Sequence, residues 1–420
     1  MDFRKKLAGA YAKYAGRADG ATDGFLRFLR RNIAWISCAL ITLLSLVVRL
    51  SFLGYLSGDM KNALDPWLTF LKENGGFAAL KYYPHFTPKE CDYPVAYVEL
   101  LAALSYLPLD NATAIKLSSF AFDYLLALGG WFLTKECTGS RTRGAIAFCA
   151  LCCMPTGILN SAVWGQCDQL YTCGAVWALY FAIRGRRNLC VFLVGLAFAN
   201  KPQAVFFFPV LVWLFLTGKL RLRNLLMLPV GYVITFLPAY CFGTPFASPF
   251  EMFFTQIGKY PNANYGAGNI YAFLEFSGVY GDLNKGAGVS FALCIVGAAA
   301  AALFYRGTEP TPNNCVLVTA FFALLTPFVL PHMHERYFYF AEAMVLIYAV
   351  VSGRRFYLVP VVQFSGVLCY THFLFGGYVI SSLGQDCVKL AAVLNAVVIG
   401  FVVADLFFAK PTLPESERKG

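Results

Sequence analysis

Long uninterrupted apolar runs are the feature that most constrains the fold of this 420-residue chain. A helix needs about 20 apolar residues to cross the hydrocarbon core of a bilayer. The sequence contains about twelve apolar runs that are long enough or nearly so, separated by polar stretches. They cover residues 33–56, 112–134, 144–160, 168–183, 189–199, 204–217, 225–241, 288–305, 314–330, 337–351, 357–374 and 388–408. The pattern predicts an all-α, polytopic membrane protein with about 12 transmembrane helices.

The composition agrees with this fold class and excludes several others. Hydrophobic residues make up 58% of the chain and charged residues only 14%, against roughly 45–50% and 25% in soluble domains. A soluble enzyme, a disordered chain and a nucleic-acid-binding domain are therefore excluded. A transmembrane β-barrel is excluded as well, because its strands would alternate apolar and polar residues.

The net charge of +11 comes from short basic stretches between the apolar runs, which is typical of cytoplasmic loops. If the N-terminus is cytoplasmic, every second segment between apolar runs lies in the cytoplasm. These cytoplasmic segments hold the basic clusters. The clusters are Lys135/Arg141/Arg143, Arg184/Arg186/Arg187, Lys219/Arg221/Arg223, Arg306 and Arg354/Arg355. We therefore predict a basic cytoplasmic segment 1–32, a single transmembrane domain 33–408 and a cytoplasmic tail 409–420.

Two long loops fall on the extracytoplasmic side in this topology, at about 57–111 and 242–287. The first of them contains two apolar stretches, 64–83 and 94–108. The second stretch is bracketed by prolines and carries Glu99, and counting it as a span would place every later basic loop outside. We therefore predict that 94–108 forms a helix that lies in or dips into the outer membrane interface. The stretch 64–83 is predicted to form another interfacial helix, followed by a turn at Gly75–Gly76.

Aspartates stand at both ends of the first outer loop. Asp59 follows the first span in SGDMKNALDPW, and Asp92 closes the loop in CDYPVAY. A carboxylate at the mouth of a helix bundle can accept a proton from a hydroxyl, although a single loop aspartate is more often a cap. Asp65 precedes a proline and fits the start of a helix.

A polar turn separates two spans at 159–171, LNSAVWGQCDQLY, and contains Asn160, Trp164, Gln166 and Asp168. An aromatic face and an amide are typical contacts for the C–H surfaces and hydroxyls of a sugar. The alternative is an interfacial tryptophan followed by an aspartate that caps the next helix.

Cations interrupt the apolar pattern at two further places. Lys201 and Gln203 flank a proline in ANKPQAVFFFP, where a lysine at membrane depth needs a partner or has to reach the interface. The segment PHMHERYFY holds His332, His334, Glu335 and Arg336. The HxH pattern suggests a metal, but no third ligand lies nearby in sequence, and arginine with two histidines forms an anion site equally well.

Two weaker candidates remain. The loop QIGKYPNANYGAGNIY contains Asn262 and Asn264, which are either sugar or acceptor contacts or plain turn residues. Lys116 and Asp123 lie seven residues apart in the second span and so share a helix face. Ionisable groups in a span are either functional or form structural ion pairs.

Together these motifs resemble the GT-C superfamily of membrane glycosyltransferases, and within it the bacterial relatives of the second mannosyltransferase of GPI-anchor synthesis. The resemblance rests on GD after the first span, YP at the end of the first loop, NSxxWGQxD, the KPQ break and PxMHERYFY, and runs from about residue 57 to 345. It implies the GT-C fold, whose first outer loop carries an acidic base and forms interfacial helices.

The resemblance also implies an inverting glycosyltransferase. Such an enzyme moves a sugar, here with mannose as the first candidate, from a polyprenyl-phosphate carrier to a lipid-linked or surface glycan or protein acceptor outside the cytoplasm. Asp59 is then the catalytic base. The substrate-binding candidates are Asp92, Trp164, Gln166, Asp168, Gln203, Asn262, Asn264 and Glu335. By charge, the donor-phosphate candidates are Lys201, His332, His334 and Arg336. No metal ligand is assigned. A divalent metal ion is compatible with this chemistry but is not required if two cations face the leaving phosphate.

Two other functions remain open at this point. A transporter or lipid flippase of cell-envelope precursors would have its binding residues near the bilayer midplane, in broken helices. A non-catalytic subunit of an envelope-assembly complex would keep Asp59 apart from the cations.

The predicted topology can be tested by labelling single cysteines in a cysteine-free variant with a reagent that does not cross membranes. We expect labelling at position 59 and in the loop 256–269, and no labelling at position 186 in intact cells, because basic loops stay in the cytoplasm. Position 186 should react once the membrane is permeabilised. Labelling of position 186 in intact cells would contradict the topology.

Overall fold

The computed structural model describes residues 20–259, 262–276 and 285–408, and most of this chain is helical. The tail 409–420 and the first 19 residues of the basic segment 1–32 lie outside the described residues. The α-helices, numbered in chain order, are α1 Gly20–Leu50, α2 Asp65–Glu73, α3 Val95–Leu104, α4 Asn111–Thr138, α5 Arg141–Cys152, α6 Pro155–Ile158, α7 Asp168–Ile183, α8 Arg187–Asn200, α9 Phe208–Leu216, α10 Leu222–Leu225, α11 Met227–Ile234, α12 Leu237–Cys241, α13 Ser248–Lys259, α14 Tyr271–Phe276, α15 Lys285–Tyr305, α16 Pro312–Val329, α17 Tyr339–Ser352, α18 Leu358–Phe375 and α19 Asp386–Phe407.

Shorter elements complete the fold. Two π-helical turns span Met60–Leu64 and Leu159–Trp164, and two 3-10 helices span Gly76–Tyr82 and Pro202–Phe207. Strands β1 Asn264–Tyr265 and β2 Met333–His334 pair in parallel. This small sheet joins the second long loop to the segment that carries the histidines.

Each of the twelve predicted apolar runs carries a helix or several consecutive helices, so the prediction of a polytopic all-α membrane protein is confirmed. In the described ranges, six helices are long and apolar enough to cross a bilayer, or up to seven if the bent pair formed by α5 and Pro155–Trp164 counts as one span. The other runs hold shorter pieces. Pro229 and Pro238 divide the run 225–241, because proline cannot donate to the carbonyl four residues earlier.

The first long loop folds into short helices that pack on the bundle. Helix α3 has ten residues, about 15 Å, which is half of the hydrocarbon thickness. Trp67, Leu68 and Leu101 are fully buried in a core that also contains Cys167 and Ala199. The loop therefore lies against the start of α7 and the end of α8.

The antiparallel helices α7 and α8 determine which loops meet. Helix α7 begins at Asp168 and ends beside Arg184, whereas α8 begins at Arg187 and ends beside Lys201. Lys201 Nζ lies 2.6 Å from Asp168 Oδ1, and Arg184 pairs with Glu136 at 3.3 Å. The polar motifs thus meet at one end of the pair, and the basic loop lies at the other end.

A glycine contact fixes α8 against α11. A Cβ atom at Gly195 would lie 2.3 Å from the carbonyl oxygen of Leu228, and one at Gly231 would lie 2.3 Å from that of Phe192. The two backbones touch, so only glycine fits at either position. This contact sets the position of α8 and of Lys201, which follows it.

A buried ion pair joins the first span to the second. Arg49 Nε lies 3.0 Å from Asp123 Oδ2, and the two side chains are 0% and 4% exposed. Asp123 also accepts hydrogen bonds from Ser161 at 2.5 Å and Tyr339 at 3.2 Å. The partner of Asp123 is therefore an arginine from another span, which the sequence analysis did not single out.

Lys116, on the same helix as Asp123, has a different role. Its Nζ donates to the carbonyl oxygens of Phe52 at 2.7 Å and Tyr55 at 2.5 Å. These carbonyls belong to the turn after α1, where backbone oxygens lack helical partners. Lys116 thus holds the end of α1, from which the segment with Asp59 starts.

We expect Arg49→Leu to destabilise the protein strongly, because it leaves the Asp123 carboxylate buried without its cation. Removing one partner of a buried pair costs about 3–5 kcal/mol. Thermal unfolding in a mild detergent measures this as a lower midpoint. As a control, Arg184→Ala removes a largely exposed pair and should change stability by less than about 1 kcal/mol. Equal effects of the two substitutions would contradict a structural role for Arg49.

Candidate active site

Asp59 is held at the mouth of the bundle by the polar turn 159–168. Its Oδ2 accepts hydrogen bonds from Trp164 Nε1 at 2.9 Å and from Gln166 Nε2 at 2.5 Å. Ser57 reinforces the contact, because its hydroxyl donates to the backbone carbonyl of Trp164 at 2.7 Å. Among the described residues, no donor reaches Asp59 Oδ1, so this oxygen is available for another hydrogen bond.

The turn has this shape because of one glycine. Gly165 follows the π-helical turn with φ of +78°, a conformation that glycine adopts without strain. A Cβ atom at this position would lie 2.4 Å from the Met60 side chain. Gly165 therefore allows Trp164 and Gln166, on either side of it, both to face Asp59.

Tyr93 adds a further contact that the sequence analysis missed. Its hydroxyl donates to Gln166 Oε1 at 2.8 Å, which leaves the Gln166 amide nitrogen directed at Asp59. Lys201 Nζ lies 6.0 Å from the centre of the Tyr93 ring. The available sequence signal was its place in the YP motif directly after Asp92.

Asp168 lies at the centre of a buried polar cluster. It is 0% exposed, and its Oδ1 accepts from Lys201 at 2.6 Å. Its Oδ2 accepts from Asn160 Nδ2 at 2.8 Å and lies 3.5 Å from Arg336 Nε. The neighbouring turn and two distant segments of the chain therefore share one carboxylate.

Arg336 is surrounded by carboxylates and aromatic rings. Its Nη1 donates to Glu335 Oε1 at 2.5 Å, and its guanidinium lies 5.1 Å from the centre of the Trp164 ring and 5.9 Å from that of Tyr337. Burial alone would lower the pKa of Arg336, but the neighbouring Glu335 and Asp168 carboxylates hold it well above its ordinary value. The side chain is therefore a permanent cation.

Glu335 is the second carboxylate beside Arg336. Burial alone would raise the pKa of Glu335, but Arg336 and His334 hold it below its usual value. His334 Nδ1 lies 3.6 Å from Glu335 Oε2, and its ring stacks on Tyr265 at 4.8 Å. Glu335 and His334 therefore hold Arg336 and the strand pair β1–β2 in position.

His332 has a defined orientation. Its Nδ1 lies 2.7 Å from the backbone carbonyl oxygen of Asn262, and since a carbonyl only accepts, Nδ1 carries the proton. The backbone at His332 has φ of +62°, which is uncommon for a residue other than glycine.

The two predicted asparagines differ in what they contact. Asn262 contributes its backbone carbonyl to His332, and its side chain is exposed. Asn264 is buried, and its amide bonds to Ala267 and Asn269 within the loop. Neither side chain lines the cavity beside Lys201 and Arg336.

A cavity of about 350 Å³ opens beside the cations. Its lining includes the polar or charged residues Asp92, Lys201, Gln203, His332 and Arg336. Apolar side chains that also line it are Phe198, Val205, Phe206, Phe253, Val289, Leu330 and Met333. Six other predicted site residues do not line this cavity, namely Asp59, Trp164, Gln166, Asp168, His334 and Glu335.

Within the described residues, no group of three His, Cys, Asp or Glu side chains has an arrangement that could hold a metal ion.

The family model for glycosyltransferase family 87 matches residues 92–330, more than half of the chain. The chain belongs to glycosyltransferase family 87. Asp59 and the segment 332–336 lie outside the matched stretch. No curated protein matches the chain.

One solved structure with a similar fold is ArnT from Cupriavidus metallidurans, bound to undecaprenyl phosphate. It is 14% identical to this chain, covers 89% of this chain and 76% of its own, and gives a TM-score of 0.55. At this identity the similarity shows the fold alone.

The two comparisons confirm the resemblance to the GT-C superfamily. The chain is a membrane glycosyltransferase with the GT-C fold. Family membership favours the enzyme over the transporter and over the non-catalytic subunit. Asp59 also lies next to the cations, since the Trp164 side chain contacts both Asp59 and Arg336.

Proposed function

We propose that this enzyme transfers a sugar, with inversion, from a polyprenyl-phosphate carrier to an acceptor hydroxyl. The observation that carries this proposal is a cavity whose lining combines cations with apolar side chains. Lys201 and Arg336 line it together with phenylalanine and aliphatic side chains. A phosphate joined to a prenyl chain likewise combines a charged and an apolar part.

The cations stabilise the leaving group. When the bond between the anomeric carbon and the phosphate oxygen breaks, the lipid phosphate gains negative charge, and fixed cations favour that transition state. Lys201 and Arg336 are held in place by Asp168, and His332 lines the same cavity. In this proposal Asp168 and Glu335 hold the cations and do not contact the sugar.

Asp59 is the proposed base. Its Oδ2 is fixed by two donors, which leaves Oδ1 for the acceptor hydroxyl. The acceptor oxygen attacks the anomeric carbon as its proton passes to Asp59, and the lipid phosphate leaves from the opposite face. Asp92 is the second candidate base, favoured by its place in the cavity wall.

Gln203 is the proposed sugar contact in the cavity. It lines the wall beside Lys201, and its buried Oε1 has no hydrogen-bond partner among the described residues. A buried amide oxygen without a partner is costly, and a sugar hydroxyl would satisfy it.

The proposal also includes the identity of the sugar, the acceptor and the side of the membrane on which the transfer takes place. Mannose and an extracytoplasmic site follow from the resemblance and from the basic loops on the opposite side. The polar motifs gather where α7 starts and α8 ends, away from Arg184 and Arg187. Competition between polyprenyl-phosphate mannose and the corresponding glucose and arabinose donors would identify the sugar.

Loss of either cation should weaken use of the donor. We expect Lys201→Met and Arg336→Gln each to lower kcat/KM for a polyprenyl-phosphate sugar about 10–100-fold, because a charged hydrogen bond contributes roughly 1.5–3 kcal/mol. Steady-state assays with purified protein measure this. Lys81→Met removes an exposed lysine from the first loop and is the matched control. If both site variants keep wild-type donor kinetics, Lys201 and Arg336 do not bind the donor phosphate.

Loss of the base should lower turnover. We expect Asp59→Asn to insert into the membrane and bind the donor, but to turn over at least about 10²-fold more slowly, because an amide cannot accept the proton. Asp65→Asn is the control in the same loop, since the Asp65 carboxylate bonds to Asn111 at the surface. If Asp59→Asn is fully active and Asp92→Asn is inactive, Asp92 is the base. If both stay fully active, the proposed chemistry of this loop is wrong.

A further inference from the structure

Two aromatic side chains connect the proposed base to the two cations. Trp164 donates from its Nε1 to Asp59, and its ring face lies against the Arg336 guanidinium, 5.1 Å from the ring centre. Tyr93 donates from its hydroxyl to Gln166, which donates to Asp59. Lys201 Nζ lies 6.0 Å from the centre of the Tyr93 ring. Each ring therefore has one edge toward the base and one face toward a cation.

These contacts link Asp59 and the two cations in a closed network. Lys201 and Arg336 both contact Asp168, and the two rings both lead to Asp59. An aromatic ring is rigid and has only two rotatable bonds, so a displacement at its face also moves its N–H or O–H group. A ligand that moves the cations would therefore change the hydrogen bonds at Asp59.

We propose that Trp164 and Tyr93 are positioning residues that align the base when the donor phosphate binds the cations. This inference rests on the proposed function. A phosphate that binds Lys201 and Arg336 fixes both cations, and each cation then fixes the ring beneath it by cation–π attraction. The rings in turn hold Trp164 Nε1 and Gln166 Nε2 against Asp59 Oδ2, so that Oδ1 faces the acceptor.

A purely structural role for these rings predicts a different result. Trp164 is 3% exposed and packs edge-on against Tyr370, so its loss would affect folding whether or not it aligns the base. The test therefore needs variants that keep the ring and remove only the polar edge, with separate measurements of donor binding and turnover.

Tyr93→Phe keeps the ring face for Lys201 and removes the hydroxyl. We expect kcat to fall about 3–10-fold, the typical effect of one neutral hydrogen bond, with no change in the KM for polyprenyl-phosphate mannose. Tyr93→Leu removes the face as well, so KM should rise in addition. Tyr97→Phe is the matched control, because Tyr97 packs on Tyr93 at 5.2 Å and its hydroxyl donates to none of these groups. Wild-type kcat in Tyr93→Phe would overturn the role of Tyr93.

Trp164→Phe keeps an aromatic face and removes the N–H group. Because the acceptor is a carboxylate, we expect a larger fall in kcat, about 10–100-fold, at a similar KM. The thermal shift that polyprenyl phosphate alone induces should remain in this variant, which shows that the phosphate site is intact. A wild-type kcat in Trp164→Phe would overturn the role of Trp164. Loss of the thermal shift with polyprenyl phosphate would overturn it as well.

Double variants separate this inference from the proposed function. If the rings act through Asp59, neither Tyr93→Phe nor Trp164→Phe should reduce the residual turnover of Asp59→Asn further. Additive losses would overturn the coupling and leave Asp59 as the base. Full activity of Asp59→Asn itself would overturn the proposed base, and the coupling with it.

Discussion

The site depends on one buried carboxylate. Asp168 bonds to Lys201 from the end of α8 and to Asn160 from the preceding turn, and it forms an ion pair with Arg336 from the segment before α17. Two cations so close together would repel each other without it, and a buried charge that lacks a partner is strongly destabilising. Asp168 therefore holds these segments of the bundle together. It also sets the distance between Lys201 and Arg336, the proposed phosphate ligands.

Much of the fold could be predicted from hydrophobicity and loop charge, because the bilayer allows few alternatives for an apolar run. The twelve runs correspond to helices, and the helix within 94–108, α3, is too short to cross a bilayer by itself. Tertiary partners could not be predicted. Nothing in the sequence indicates that Asp123 pairs with Arg49, 74 residues away, rather than with a cation of its own helix.

The residues of the site could be named from the sequence more readily than their contacts. Asp59, Trp164 and Arg336 were singled out because polar groups at the ends of spans are uncommon. The sequence could not tell a residue that lines a cavity from one that does not, as with Asp168. Nor could it show that the Asn264 amide is used within its own loop. Tyr93 was missed because an interfacial tyrosine is ordinary.

The charges around Lys201 and Arg336 have a consequence for selectivity. These two cations are balanced by Asp168 and Glu335, so the resting site has little net attraction for an anion. A water-soluble phosphate would have to compete with carboxylates that are already in place and would gain nothing else. A prenyl chain against Phe198, Phe206 and Phe253 adds apolar burial, about 25 cal/mol per Å². In the proposed mechanism, the balanced charges thus keep inorganic phosphate and free nucleotides out of a site that binds a lipid phosphate.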